Sequence, residues 1–335
     1  MARSRFMPDN FTLTLIAVVA MATVLPARGQ VAVAFDWITN IAIGLLFFLH
    51  GAKLSREAIF AGAGHWRLHL LVFVCTFVLF PLIGLALKPV LLPLVGDELY
   101  LGFLYLCALP ATVQSAIAFT SLARGNVPAA ICSAAASSLI GIFITPALVA
   151  LLMGVHGDSG STLEAIRKIS LQLLVPFVAG QIARRWIGEW VGRNKSWLKF
   201  VDQGSILLVV YSAFGAAVIG GLWQQVPPTM LAWIVLGCCV VLALSLGITA
   251  LLGKWLGFSL EDRITILFCG SKKSLATGVP MAQVLFAGST IGLLILPLMI
   301  FHQIQLMVCA ALAQRYARRP EAPVSPEQAS VAAGK

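Results

Sequence analysis

Ten times between Asn10 and Gln314 the chain runs apolar for about the length of one bilayer crossing. The runs lie near residues 10–26, 34–51, 67–92, 99–122, 127–153, 165–187, 203–222, 229–257, 262–286 and 290–314. A hydrocarbon core takes roughly 20 residues of helix. Within it every backbone polar group must find a partner inside the protein, which favours α-helices. Composition agrees: 59% of residues are hydrophobic, 11% are charged and the mean hydropathy is +0.94, whereas soluble domains are nearer a quarter charged. The expected fold class is an all-α polytopic membrane protein with ten transmembrane helices. The opening MARSR followed by FTLTLIAVVAMATVL has the layout of a signal peptide. No soluble domain follows for it to export, so it is read as the first span. The residues after Arg315 are rich in Pro, Ala and Glu and read as a disordered tail.

Basic residues give the orientation. With the N-terminus, alternate loops and the C-terminus on one side, that side holds 17 Lys and Arg and the other holds 4. Positive charge marks the cytoplasmic side, so both termini are expected in the cytoplasm, with the protein in the plasma or inner membrane. The same distribution accounts for the net charge of +10 without nucleic acid, since no basic stripe sits on a soluble domain. The seven cysteines all lie in apolar stretches and form no CxxC pair, so they read as small buried hydrophobes.

Ten spans divide into five and five. An odd number per half makes the halves insert with opposite orientation, the logic of inverted repeats. The expected units are residues 1–153, residues 154–314 and the tail 315–335, on the cytoplasmic side. Spans four and nine resemble each other: CALPATVQSAIAFTSLARGN (107–126) and CGSKKSLATGVPMAQVLFAGS (269–289) each run from Cys through a polar cluster back to apolar residues, ending in Leu-x-x-Gly-[Asn/Ser]. Pro110 has no N–H, and Gly270 and Gly278 weaken a helix. Unwound backbone at this depth must be buried in protein or line a cavity, where its amides and carbonyls become ligands. Thr112, Gln114, Ser115, Ser271, Ser274 and Thr277 add side-chain ligands. Serines alone, such as Ser137, Ser138 and Ser245, read as helix-packing residues. Lys272 and Lys273 do not, because a lysine at mid-membrane costs about 2.5–3.5 kcal/mol. The other reading of this pair, an interfacial loop, would leave a short apolar half on either side.

The residues resemble those of the bile acid:sodium symporter family, most closely its divergent SBF-like branch. FFLHGAKLSREAI (47–59), CTFVLFPLIG (75–84), ALPATVQSAIA (108–118) with ARGNVPAA (123–130), and CGSKKSLATGVPMAQVLF (269–286) carry the likeness. It implies ten helices, a panel of spans 1, 2, 6 and 7, a core of spans 3–5 and 8–10, and spans four and nine discontinuous and crossed at their centres. In the better-known branch a Glu and a Gln near the span-nine crossing help hold two Na⁺. By the Gly270 register those positions are Phe268 and Lys272 here. The span-three Gln position is Thr76, the span-four pair falls at Gln114 and Ser115, and two hydroxyl positions of span five are Ala130 and Ala134. The likeness therefore implies transporter architecture, with Na⁺ coupling in question. One lysine, Lys272 by this register, is expected to replace the cation at the crossing, and Lys273 to face the cavity and draw an anion.

The leading function is secondary transport of a small organic anion by alternating access, without a resident metal or other cofactor. A Na⁺-coupled symporter and a non-transporting membrane scaffold are the alternatives. An intramembrane enzyme needs a nucleophile–base or metal constellation. His65 and His69 are spaced i, i+4 but lack the intervening Glu of a zinc protease. His302, with Gln303 and Gln305, reads as packing or gating. No GxxxxGK[ST] is present, which argues against ATP-driven transport.

Overall fold

The computed structural model describes residues 10–53, 64–153, 170–286 and 291–319, and every regular element among them is helical. In chain order these are α1 (Asn10–Val24), α2 (Gln30–Lys53), α3 (Trp66–Ala86), α4 (Lys88–Ala108), α5 (Gln114–Leu122) and α6 (Val127–Met153). They continue with α7 (Val175–Arg193), α8 (Lys195–Ile219), α9 (Pro228–Trp255), α10 (Leu260–Gly270), α11 (Leu275–Leu285) and α12 (Ile291–Ala317). Seven of them, α2, α3, α4, α6, α8, α9 and α12, are long and apolar enough to cross a membrane. The turn after the second span, the Gly288–Ser289 turn, the boundary between the halves and the tail beyond Arg319 lie outside the described residues.

The helix ends follow local chemistry. Ser259 caps α10 by accepting from the Asp262 N–H, with Glu261 and Asp262 in the first turn where the helix dipole favours acids. Ser274 caps α11 through the Thr277 N–H, and Asn126 caps α6 through the Ala129 N–H. Where the sequence suggests one span over 67–92, α3 instead closes at Ala86. A new helix starts at Lys88 with Pro89 in its first turn, and it turns sharply at Gly96 (φ 78°), a conformation glycine adopts without penalty.

The outer surface is apolar. Leu45, Leu82, Phe143, Leu151, Leu236, Leu251 and Met307 all present exposed side chains. In water a continuous face of this kind would be an aggregation surface; against acyl chains it is at home. Exposed tryptophans such as Trp66, Trp197 and Trp255 sit near helix ends, as they do in interfacial belts.

The helices pack in two groups. α1, α2, α7 and α8 contact one another, and α3–α6 contact α9–α12; α8 joins the groups by lying against α11 and α12. α2 and α7 approach through reciprocal glycines. A Cβ on Gly51 would run into the Phe177 carbonyl, and one on Gly180 into the Phe48 carbonyl. Lys53 at the end of α2 pairs with Asp202 of α8, and Arg184 of α7 donates to the last-turn carbonyl of Ala52 (3.0 Å).

Candidate functional site

Two helical breaks meet inside the second group: residues 109–113 between α4 and α5, and residues 271–274 between α10 and α11. They are joined directly, backbone to backbone, by the Ser274 N–H donating to the Pro110 carbonyl (3.0 Å). Two glycines let the chains approach. A Cβ on Gly141 of α6 would lie 2.6 Å from Pro110, and one on Gly278 of α11 would lie 2.5 Å from Leu109.

The crossing concentrates free carbonyls, and the sequence shows why. Residues Cys75–Leu79 of α3 form a π-turn in which the Phe80 N–H bonds Cys75 O. Thr76 O thereby loses its usual donor, and the next residue along, Pro81, has no N–H to offer. In α4, Cys107 O meets Pro110 at i+3, while the Ala111 N–H at i+4 donates to Ser137 Oγ (3.0 Å) instead. Leu109 has already left the helix (φ −74°, ψ 155°). Just before the break, Ala108 O accepts from Thr145 Oγ1 (2.9 Å).

Lys273 fills this cage. Its Nζ donates to Thr76 O (2.7 Å), Cys107 O (2.9 Å) and Leu109 O (2.6 Å), with the Phe80 ring centroid 4.2 Å away. Three carbonyl acceptors match the three N–H of an ammonium, whereas a neutral amine has only two. The Lys273 backbone is held as tightly. Its N–H donates to Gln305 Oε1 (2.9 Å) and its carbonyl accepts from Gln305 Nε2 (2.8 Å), so one side-chain amide of α12 satisfies both backbone groups of the break. Gln305 Nε2 also lies 2.9 Å from His302 Nδ1.

Lys272 is equally buried but differently housed. Among the described residues its Nζ has one hydrogen-bond acceptor, Ser115 Oγ (3.3 Å), and it stands over the rings of Phe119 (4.5 Å) and Phe268 (5.8 Å). The sequence register assigned the cation's place to Lys272, whereas the carbonyl cage holds Lys273. Lys273 sits among the crossing carbonyls, and Lys272 leans toward α5.

With this geometry in place, comparison with known proteins is informative. The family model of SBF-like CPA transporters matches residues 9–318. The chain belongs to that family. It is 71% identical over 319 residues to the uncharacterized protein PA2026 of Pseudomonas aeruginosa, covering 95% of this chain and 96% of the relative. It is 60% identical over 316 residues to YfeH of Escherichia coli, whose name includes the word symporter, covering 93% and 94%. It is 28% identical over 319 residues to sodium/bile acid cotransporter 7 of Danio rerio, covering 92% and 94%. This SBF-like protein is a membrane transporter and not an enzyme.

The transporter's expected site residues divide accordingly. Lys273 and Ser274 lie at the crossing, while Lys272, Ser115 and Thr112 form a hydrogen-bonded chain beside it, with Ser115 Oγ donating to Thr112 Oγ1 (2.8 Å). Thr76 contributes its carbonyl rather than its hydroxyl, which donates back to Val72 O (2.8 Å). The Ser271 hydroxyl closes the end of its own helix on Leu267 O (2.5 Å). Gln114 is exposed and is the first residue of α5. Gln305 does more than packing or gating suggested; Ser137, read as a helix-packing residue, accepts from the Ala111 N–H, and Thr145, not singled out in the sequence, donates to Ala108 O. The signal for Gln305 was its place in the polar group His302, Gln303 and Gln305 within an apolar span.

Proposed function

We propose that this transporter moves a small organic anion by secondary active transport, exposing the crossing of its two breaks alternately to either side of the membrane. In this reading α4–α5 and α10–α11 are the discontinuous spans four and nine of a ten-span inverted repeat. The halves are residues 1–153 and 154–314, and both termini are cytoplasmic in the plasma or inner membrane. α1, α2, α7 and α8 act as the panel against which the remaining helices move. The carrying observation is the Lys273 ammonium, bonded to three carbonyls contributed by α3 and the α4–α5 break. A tethered cation there makes a bound Na⁺ redundant. It also opposes one: two unit charges ~4 Å apart repel by about 4 kcal/mol at an effective dielectric of 20. Transport is accordingly independent of Na⁺, and the positive centre selects anions.

The names of relatives favour a second reading, Na⁺-coupled symport of a solute such as a bile acid. Uptake into proteoliposomes separates the two. A labelled bile acid and a panel of smaller carboxylates and sulfonates are offered with Na⁺ or choline outside. Equal uptake in both media supports the proposal. Steep Na⁺ dependence in the unmodified protein returns the chain to sodium symport, and absence of flux for every anion overturns the organic-anion reading.

A further inference from the structure

Two adjacent lysines, both fully buried, have opposite hydrogen-bond states. Lys273 has an acceptor for each N–H. Lys272 has one long bond, to Ser115, and two ring faces. Its surroundings offer no counter-charge. Cys269 of α10 and Cys309 of α12 face it, Lys273 is its chain neighbour, and α5 presents Ser115 and Phe119; among the described residues no carboxylate joins them. Buried charge without a partner is unfavourable. The site has two ways to be neutral: the amine gives up its proton, or the ammonium receives a monovalent anion.

We propose that Lys272 is the proton-carrying group of the transport cycle, so that one proton and one monovalent organic anion load and leave together. This rests on the anion-transport reading above. Proton and anion favour each other's binding by the same factor, since linkage is reciprocal. Lys273 does not cycle, because its charge is already met by carbonyls. The path for the proton is also present. Ser115 Oγ accepts from Lys272 and donates to Thr112 Oγ1. Ser115 is half-buried and its neighbour Gln114 is exposed. On release, the Nζ–H bond breaks and its electron pair stays on Nζ. The proton passes to Ser115 Oγ as the half-buried Ser115 hydroxyl turns from Thr112 and gives its own proton to water.

The experiment needs no substrate. The full chain, labelled with ¹⁵N at lysine Nζ, is purified in detergent and followed by NMR from roughly pH 5.5 to 9.5, a range that ends below ordinary Lys titration at about 10.4. The Lys272 signal is assigned by its loss in Lys272→Gln. Should that variant fail to fold, Ser115→Ala, which shifts the Lys272 signal alone, assigns it. The expected result is that Lys272 passes from ammonium to amine within the range while Lys273 stays an ammonium throughout. Ser115→Ala is expected to slow exchange of the Lys272 proton with water roughly tenfold or more. A Lys272 signal that stays in one form across the range overturns the proposal, even if Na⁺-independent anion uptake is found and the transport reading stands. Titration of Lys272 supports the proton site even where none of the anions tested is moved.

Discussion

Replacing Lys273 by Met keeps most of the side chain's length and removes only the ammonium. Thr76 O, Cys107 O and Leu109 O, all in fully buried residues, then lose their donor together. Each buried acceptor left unsatisfied costs about 1–3 kcal/mol, so the three together cost on the order of 3–9 kcal/mol. At about 2 °C per kcal/mol, the smallest of these values lowers Tm by about 6 °C. Lys272→Met is the matched control. It removes one 3.3 Å bond and two ring contacts, a loss of about 1–3 kcal/mol. It also relieves the burial of a poorly solvated cation, which offsets that loss. The Tm of Lys272→Met is therefore expected within about 3 °C of the unmodified protein. Thermal unfolding of the three purified proteins in one detergent, read by intrinsic fluorescence from the eight tryptophans, makes the comparison. Equal shifts for the two variants, or none for Lys273→Met, would refute the idea that the ammonium closes the crossing.

Lys273→Gln leaves carbonyls where a cation can enter, so adding Na⁺ is expected to raise the Tm of that variant and not of the parent, read in matched Na⁺ and choline buffers. Gly141→Ala and Gly278→Ala push a methyl against Pro110 and Leu109 and should each destabilise by about 1–3 kcal/mol, seen as a lower melting temperature; unchanged values would mean the breaks are free to separate. Gln305→Leu strips both backbone partners from Lys273 and is expected to lower Tm by more than Gln114→Leu, whose side chain is exposed. A cysteine appended to the C-terminus should react with a membrane-impermeant maleimide only in inside-out vesicles; labelling of intact cells would show that a span was miscounted.

The long helices and both breaks were legible because their causes are local: apolar runs of spanning length, Pro110, Gly270 and a polar cluster in each break. The lysine pair was legible as a site because nothing apolar explains it. Which lysine faces the carbonyls was not. Neighbouring residues project about 100° apart on a helix, and the break at 271–274 abolishes even that rule. The choice falls to the position of α3, whose π-turn sets Thr76 O within reach. Thr76 was singled out as the span-three Gln position of the relatives, and it is its carbonyl that makes the contact, because the π-turn takes away its usual donor and Pro81 five residues later has no N–H. Gln114 shows the same limit: a polar side chain in an apolar segment signals that it needs a partner or water without saying which, and it lies exposed at the start of α5.

The Lys273 cage also bears on how the protein is made. Its acceptors lie 164 to 197 residues before the lysine that satisfies them. At roughly 5–20 residues per second, the ribosome delivers Thr76, Cys107 and Leu109 some ten to forty seconds before Lys273. During that interval the first half sits in the bilayer with its break open. It is an unfinished product that depends on its own later chain, and a truncated message ending before α10 would yield a segment the membrane's quality control should find and remove.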